Sequence, residues 1–435
     1  MRSQPGTPPD VSKRPNDLIT ETRRYRVITP LFGGGVEPGN ADPITVVRAT
    51  EVRGHLRFWW RATRGGQFNG SLAAMKAVEE RIWGSAAAED RPGPSKISVI
   101  VTPENEGHPD RPFEVVANRD NRPTIRPRSA SAVHPYAGFP LQPEQGQARI
   151  GMETKSVQAN VMFALTIVFP AQFQADVTAA LWAWETFGGL GARTRRGFGA
   201  LQCTHRDGVT VELPTSAQAA SWISDHLGKY VVTGRWPEHV PHLSTESSYR
   251  RVLVRQDNPL RVWRKLIDDL KTFRQARRPG AQGANQRPGR SYWPEAEEIR
   301  NLTRQRSPNH QLLGDGVHKF PRAKFGLPII FHFKDMNRRN PDDPRSDPAD
   351  TTLQGRGTID RLASPLILRP LATTNDQAVG LAAVLIGCEE PRGGVILKIG
   401  RRNQRVQTDV NEGEAARIRP LNGNTDILQA FLNTL

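Results

Sequence analysis

The stretch from Val161 to Cys203 constrains this chain more than any other. "VMFALTIVF" is a dense apolar run of strand length. "DVTAALWAWETF" follows it with Val177, Ala180, Leu181 and Trp184 at i, i+3, i+4 and i+7, the spacing of one buried helical face. "GGLGARTRRGFGALQC" then turns the chain through closely spaced glycines into another strand. A strand, a helix and a strand in such close succession imply a layered arrangement with the helix covering one face of a sheet.

The preceding residues complete the pattern. "RRYRVITPLF" reads as a strand running into a glycine loop at Gly33 to Gly35, a helix is expected over 45–63, a second helical run over 72–83, and "KISVIVTP" is a short strand of the buried type. Setting aside the small extra helix, the order is strand, helix, strand, strand, helix, strand, which is the split βαβ or ferredoxin-like pattern. Within it, "RDNRPTIRPRSASAVHPYAGFPLQPEQGQ", residues 119–147, has no apolar periodicity and much proline. It reads as a loop, a hairpin or a disordered stretch, and such long connections inside a domain are commonly functional.

A second region begins near Tyr249 with "YRRVLVR" and the amphipathic helix "PLRVWRKLIDDLKTFRQARR", where Val262, Leu266 and Leu270 align. Strands are expected at "GLPIIFHF", "ASPLILRP" and "GLAAVLIG", with a terminal helix at "TDILQAFLNTL". A length of 435 residues favours two domains. The expected class is therefore α+β: two tandem ferredoxin-like (RRM-like) domains with long loop insertions. They span residues 20–210 and 248–435, with a disordered tail at 1–19, a connecting segment at 211–247, and mobile insertions near 278–292 and 335–357.

Charge indicates what the surface meets. Lys and Arg number 60 against 44 Asp and Glu, a formal +16, which points to a polyanionic partner. Arginine, whose planar fork grips phosphate and stacks on bases, supplies most of the excess. Cys203 and Cys388 stand far apart with no CxxC partner, so a disulfide framework or cysteine zinc site is not expected and a reducing compartment fits. The opening residues have no apolar run of signal or anchor type, and a cytoplasmic protein without membrane contact is expected.

Two arginine constellations stand out. Along "EVRGHLRFWWRATR", Arg53, Arg57, Arg61 and Arg64 form one row beside a core-facing row of Val52, Leu56, Trp59 and Thr63. Trp60 lies between the rows, placed to carry a guanidinium or to offer its ring to a base. The row contains no acid of its own, so it is poised for an anion; a solvated helix face is the plainer alternative. The glycine-rich stretch lacks GxxxxGK[ST], and Thr194 stands where a GxGxxG motif would need its third glycine. It also follows a helix C-terminus, whose dipole repels anions. Attraction would come from exposed Arg193, Arg195 and Arg196, with Gly189, Gly191 and Gly197 letting the backbone approach a sugar–phosphate chain; the alternative is a glycine helix cap and turn. The long segment adds Arg122, Arg126 and Arg128.

Together, "ITPLFGGG", "VRGHLRFWWR" and "FGGLGARTRRGFG", with "RLASPLIL" (Arg361, Ser364, Pro365) later in the chain, resemble the RAMP superfamily of CRISPR RNA-binding proteins, specifically subunits of type III-B, or Cmr, effector complexes. The resemblance implies two tandem RAMP domains in a noncatalytic RNA-binding subunit of an antiviral ribonucleoprotein, near the 3′ end of the guide RNA and engaging target RNA. Its implied partners are the guide (CRISPR) RNA, target RNA and other RAMP subunits, and no cofactor is expected. Two other readings stay open. One is a metal-independent endoribonuclease using His55 as general base, with Asp42 nearby in sequence, because other RAMP proteins place catalytic groups in these regions. His55, however, points away from the arginine row, and Asp42 lies in the turn composition "EPGNADP". The other is a basic scaffold that meets proteins through exposed Phe58 and Trp182. In "EHVPH", Glu238, His239 and His242 sit among prolines that argue against a helical HExxH-like site, so no metal is expected.

Overall fold

A computed structural model describes residues 17–33, 45–85, 93–144, 146–280, 289–308, 310, 316–333, 343–388 and 390–435. Strand β1 (Leu18–Val27) starts within the expected tail and alternates: Arg23, Tyr25 and Val27 turn into the core while Arg24 faces outward. It ends at Val27, short of the sequence expectation; beyond it Leu31 and Phe32 only bridge to Gln158 and Gly191. Helix α1 (Ala49–Arg64) follows, then α2 (Leu72–Trp83), whose N-terminus is capped by Ser71 Oγ accepting from Ala74 N at 3.2 Å.

After β2 (Ser98–Asn105) the chain inserts a short strand β3 (His108–Asp110), the hairpin β4 (Phe113–Ala117) and β5 (Pro123–Pro127), and β6 (Val157–Ala159), which pairs with β3. The principal sheet resumes at β7 (Met162–Pro170), passes through α3 (Gln174–Phe187), and finishes with β8 (Leu201–Arg206) and β9 (Val209–Thr210). Its order is β2-β7-β1-β8-β9 with every pair antiparallel, which is the order a split βαβ pair produces. Trp59, Trp60, Trp83 and Trp184 fill the core beneath α1 and α3. Arg23 is buried there as well, donating to Glu185 of α3 at 2.7 Å, and that carboxylate also accepts from Tyr25 OH at 2.6 Å.

Residues 211–247 are more than a connection. They contain α4 (Ala219–Tyr230), whose Ala219, Ile223 and Leu227 pack into the same core. The second half runs β10 (Arg250–Asp257), α5 (Pro259–Arg274), α6 (Glu295–Thr303), β11 (Ile329–Phe331) and β12 (Thr351–Gly355). It continues through β13 (Leu366–Ala372), β14 (Ala378–Val384), β15 (Val395–Ile399) and β16 (Arg402–Val406), and ends with α7 (Glu412–Arg417) and α8 (Ile427–Leu432). Strands β10, β14 and β13 form one sheet in that order, the strand-helix-strand-strand portion of a ferredoxin-like unit. Strands β11, β12, β15 and β16 make a separate antiparallel sheet, so part of the stretch expected to be a mobile insertion is the partly buried strand β12.

Every residue of β13 and β14 is buried. The reason is two-sided cover: Leu366 and Leu368 join the core under α5, whereas Ile367 and Leu371 join the core of the first half. The two halves thus share this sheet. No helix among the described residues is long and apolar enough to cross a membrane.

Candidate nucleic-acid interface

Helix α1 presents its arginine row as the spacing predicts, but the surrounding elements supply the acids that the helix lacks. Arg57 and Arg61 both donate to Glu79 of α2, at 2.8 and 2.6 Å, and Arg64 reaches Asp176 of α3 at 3.3 Å. Of the row, Arg53 alone has no acidic partner among the described residues, and its Nε is buried without a hydrogen bond, as is Nε of Arg48 at the helix start. Trp60 departs from expectation. It is fully buried and donates Nε1 to Asp176 Oδ1 at 2.9 Å, so its ring is not offered to a base. Packing by α2 on one side and α3 on the other encloses both Trp59 and Trp60, which a single-stripe reading of α1 places on different faces.

His55 lies over Trp184, with its Nε2 at 3.5 Å from Glu51 Oε1, and Glu51 in turn accepts the backbone N–H of Gly191 at 2.5 Å. The histidine therefore belongs to a contact between α1 and the glycine loop. Asp42 lies outside the described residues. His242 stacks on Trp236 at 4.3 Å, with Nδ1–H donating to Val240 O at 2.8 Å. Phe58 is half-buried, and Trp182, expected as an exposed contact in the scaffold reading, is buried at 5% exposure.

The glycine loop differs most from its sequence reading. What approaches its backbone is the chain itself. Gly191 has φ +76°, and a β-carbon there would lie 2.5 Å from Phe32 O; Gly197 has φ +79°, and a β-carbon would meet Leu368 O and the Trp263 ring at 2.7 Å. Gly189 is buried where the loop crosses itself, beside the Leu190 N–H to Gly199 O bond of 2.9 Å. The arginines are occupied too. Arg195 donates to Ser364 O at 2.5 Å and lies over the Phe58 ring. Arg196 donates to Leu366 O at 3.0 Å and to Ser364 Oγ at 2.9 Å. Burial, reinforced by neighbouring Arg274, lowers the Arg196 guanidinium to about 9, so it stays charged at neutral pH.

Two residues that the sequence reading did not single out complete this clamp. Trp263 of α5 donates Nε1 to Arg196 O at 2.6 Å, and fully buried Arg369 of β13 donates to Gly188 O at 2.6 Å and Leu201 O at 2.9 Å. "RLASPLIL" carried the signal, since its Ser364 and Leu366 receive both loop arginines. Only Arg193 remains exposed, with Nη1 donating to Ala137 O at 2.9 Å.

The segment 119–147 is also more ordered than its composition suggests. Arg122 and Arg126 are exposed on the β4–β5 hairpin, as are Arg119 near its tip and Arg128 at its base. Of these four, Arg128 alone is ion-paired among the described residues, with Glu114 at 3.9 Å, a residue that also stands opposite Arg126 across the hairpin. Val133, Ala137 and Leu141 then pack into the core under α5, and Tyr136 OH accepts from Arg274 Nη1 at 3.0 Å. No group of three His, Cys, Asp or Glu among the described residues is arranged to hold a metal ion.

Residues 24–202 match a family model described as the RAMP superfamily. Two proteins of Pyrococcus furiosus are similar in sequence. CRISPR system Cmr subunit Cmr1-2 is 38% identical over 64 residues, 15% of this chain and 32% of that protein. Cmr subunit Cmr1-1 is 23% identical over 193 residues, 43% of this chain and 51% of that protein. The matched stretches thus span about a third and about half of these relatives. Among solved structures, the apo form of Cmr1 from Pyrococcus furiosus aligns with a TM-score of 0.46 at 15% identity, covering 96% of each chain.

Proposed function

We propose that this chain, whose residues 24–202 match the RAMP superfamily model, is a noncatalytic RNA-binding subunit of a type III-B CRISPR ribonucleoprotein and a counterpart of the Cmr1 subunits it resembles. In this reading it works in the cytoplasm in antiviral defence, near the 3′ end of the guide RNA, engaging target RNA beside other RAMP subunits. The observation that carries the reading is the β4–β5 hairpin, where exposed Arg119 and Arg122 have no acidic partner among the described residues and exposed Arg126 makes no ion pair with Glu114 opposite it. Unneutralised guanidiniums on the outer side of a hairpin that packs on the core through Phe113 and Ile125 are the electrostatic footprint of a phosphate backbone. Arg53, Arg48 and Arg193 extend that footprint across the start of α1 and the outer side of the glycine loop. Arg57, Arg61 and Arg64 remain partly accessible while paired, and each can exchange its carboxylate for a phosphate.

The noncatalytic part of this reading is supported by His55, whose partners among the described residues are Glu51 and Trp184 rather than a cation that could stabilise a developing charge. Incubating the purified chain with labelled single-stranded RNA tests the proposal. RNA bound and left intact, with or without magnesium, is the expected result. RNA cleaved by the parent but not by His55→Ala would replace this reading with the endoribonuclease one, and no binding at low salt would overturn it.

A further inference from the structure

A groove whose lining includes nothing from α1 or the glycine loop runs from the end of β1 to the start of α5. It consists of two adjoining cavities of about 350 and 410 Å³ that share Val27, Ile28, Asn160 and Leu260. Each is large enough for a mononucleotide-sized group. Their chemistry differs. The first is rimmed by Arg111, Arg128 and His108; its one carboxylate, Asp110, accepts from Ser131 Oγ at 2.9 Å and Ala132 N at 3.0 Å, which offsets its charge. Arg111 pairs with Glu153 and keeps a buried Nε with no hydrogen bond. The second is walled by Asn105, Asn160 and Asn258 over an apolar floor, and its one carboxylate, Asp376, is paired with Arg26 at 2.7 Å. Asn105 Oδ1 accepts from Gly107 N at 2.8 Å and Asn258 Oδ1 from Leu260 N at 2.9 Å, which leaves both side-chain NH₂ groups as donors.

We propose that this groove binds one unstacked nucleotide of a single-stranded RNA, its base lying on the apolar floor against the asparagine amides and its phosphate against Arg111 and Arg128. The inference rests on the RNA-binding reading above and adds a separate site to it. Free amide donors suit the acceptor edge of a base, and paired guanidiniums suit a phosphate but not a neutral ligand. Arg128 stands at the base of the hairpin arm, so a strand tracking Arg122 and Arg126 is led into the cationic end. Leu260 comes from α5 and Asn258 caps its N-terminus, whereas Val27 comes from β1, so a nucleotide seated here touches both halves of the molecule.

The test uses the full chain and a single-stranded oligouridylate carrying a photoactivatable thiouridine, with crosslinked peptides mapped by mass spectrometry. Crosslinks are expected within 105–111, 128–132, 160–162 or 258–260. Asn160 has φ +60°, so Asn160→Gly removes its amide without backbone strain, and Arg128→Ala removes an exposed cation. Affinity is expected to fall about threefold in the first and roughly tenfold in the second, with the crosslinks lost in the double variant. Parent-like affinity in both variants, with crosslinks confined to α1, the glycine loop and the hairpin tip, overturns the groove while leaving RNA binding intact. Loss of a co-purifying protein subunit in the variants without any change in RNA crosslinking also overturns it, in favour of an acidic peptide. No crosslink and no binding anywhere would overturn the RNA-binding reading itself.

Discussion

Arg369 is a guanidinium with no solvent exposure whose three hydrogen bonds all go to carbonyls, those of Gly188, Leu201 and Pro370. Burial, only partly countered by Glu185, lowers it to about 9, which still leaves it charged at neutral pH. Its fork reaches two carbonyls of the first half at once, something a lysine ammonium cannot reproduce. Arg369→Met keeps the volume and removes the donors, leaving those carbonyls buried. The expected cost is about 2 to 4 kcal/mol, read as a shift in the denaturation midpoint, with Arg369→Lys recovering little of it. Arg122→Ala, on the exposed hairpin, is expected to stay within about 0.5 kcal/mol of the parent. Equal midpoints for Arg369→Met and the parent would show that this arginine holds nothing together. The same logic reverses the sequence expectation for Arg195 and Arg196, which as exposed cations would contribute little to stability, but which spend their donors on Ser364 and Leu366.

The α1 row and the β4–β5 hairpin both offer arginines, and salt dependence separates their contributions. Replacing Arg122 and Arg126 by Ala is expected to flatten the plot of log K against log salt by about 0.7 per lost phosphate contact, with an unchanged melting temperature. Replacing Arg57 and Arg61 together also strands Glu79, a carboxylate only 7% exposed, so both the slope and the melting temperature should fall. An unchanged slope in the hairpin variant would remove the arm from the interface. These elements also show what the sequence could convey. Although α3 is buried almost all round rather than on one face, the helical periods of α1 and α3 were legible because each runs for at least fourteen residues with apolar positions at helical spacing. Burial of Trp60 was not, because it depends on a second helix covering a second face of α1, and Glu79 and Asp176 belong to elements whose proximity only the fold decides. Helix α4 carried a readable signal in Ala219, Ile223 and Leu227 at i, i+4 and i+8, masked by the surrounding prolines of a segment that resembled a linker. The hairpin was obscured differently: "FEVVA" alternates for only five residues before its partner strand begins and ends in proline.

At the scale of the molecule, the glycine loop joins the two halves, and its glycines are the positions where that join is tightest. Alternate residues of β13 serve two cores, Trp263 and Arg369 reach into the loop, and Arg195 and Arg196 reach out of it. Such reciprocal contacts make the sheet of the first half and the β10-β14-β13 sheet one cooperative unit, whose strands open together. Hydrogen exchange on the full chain is therefore expected to give β8 and β13 the same free energy of opening. Gly197→Val should separate them. Its β-carbon would be forced against Leu368 O and Trp263, and the backbone at φ +79° adds strain of about 1 to 2 kcal/mol. In that variant β13 should lose protection first while β2 and β7, on the far side of β1 from the clamp, keep theirs. If RNA spans both halves, as the groove between β1 and α5 requires, saturating RNA should restore part of the lost coupling, because a ligand bound across the join stabilises only the joined state. Independent opening of β8 and β13 in the parent protein would refute the clamp, and a variant whose β13 protection matches the parent's would show that the close approach at Gly197 carries no mechanical load.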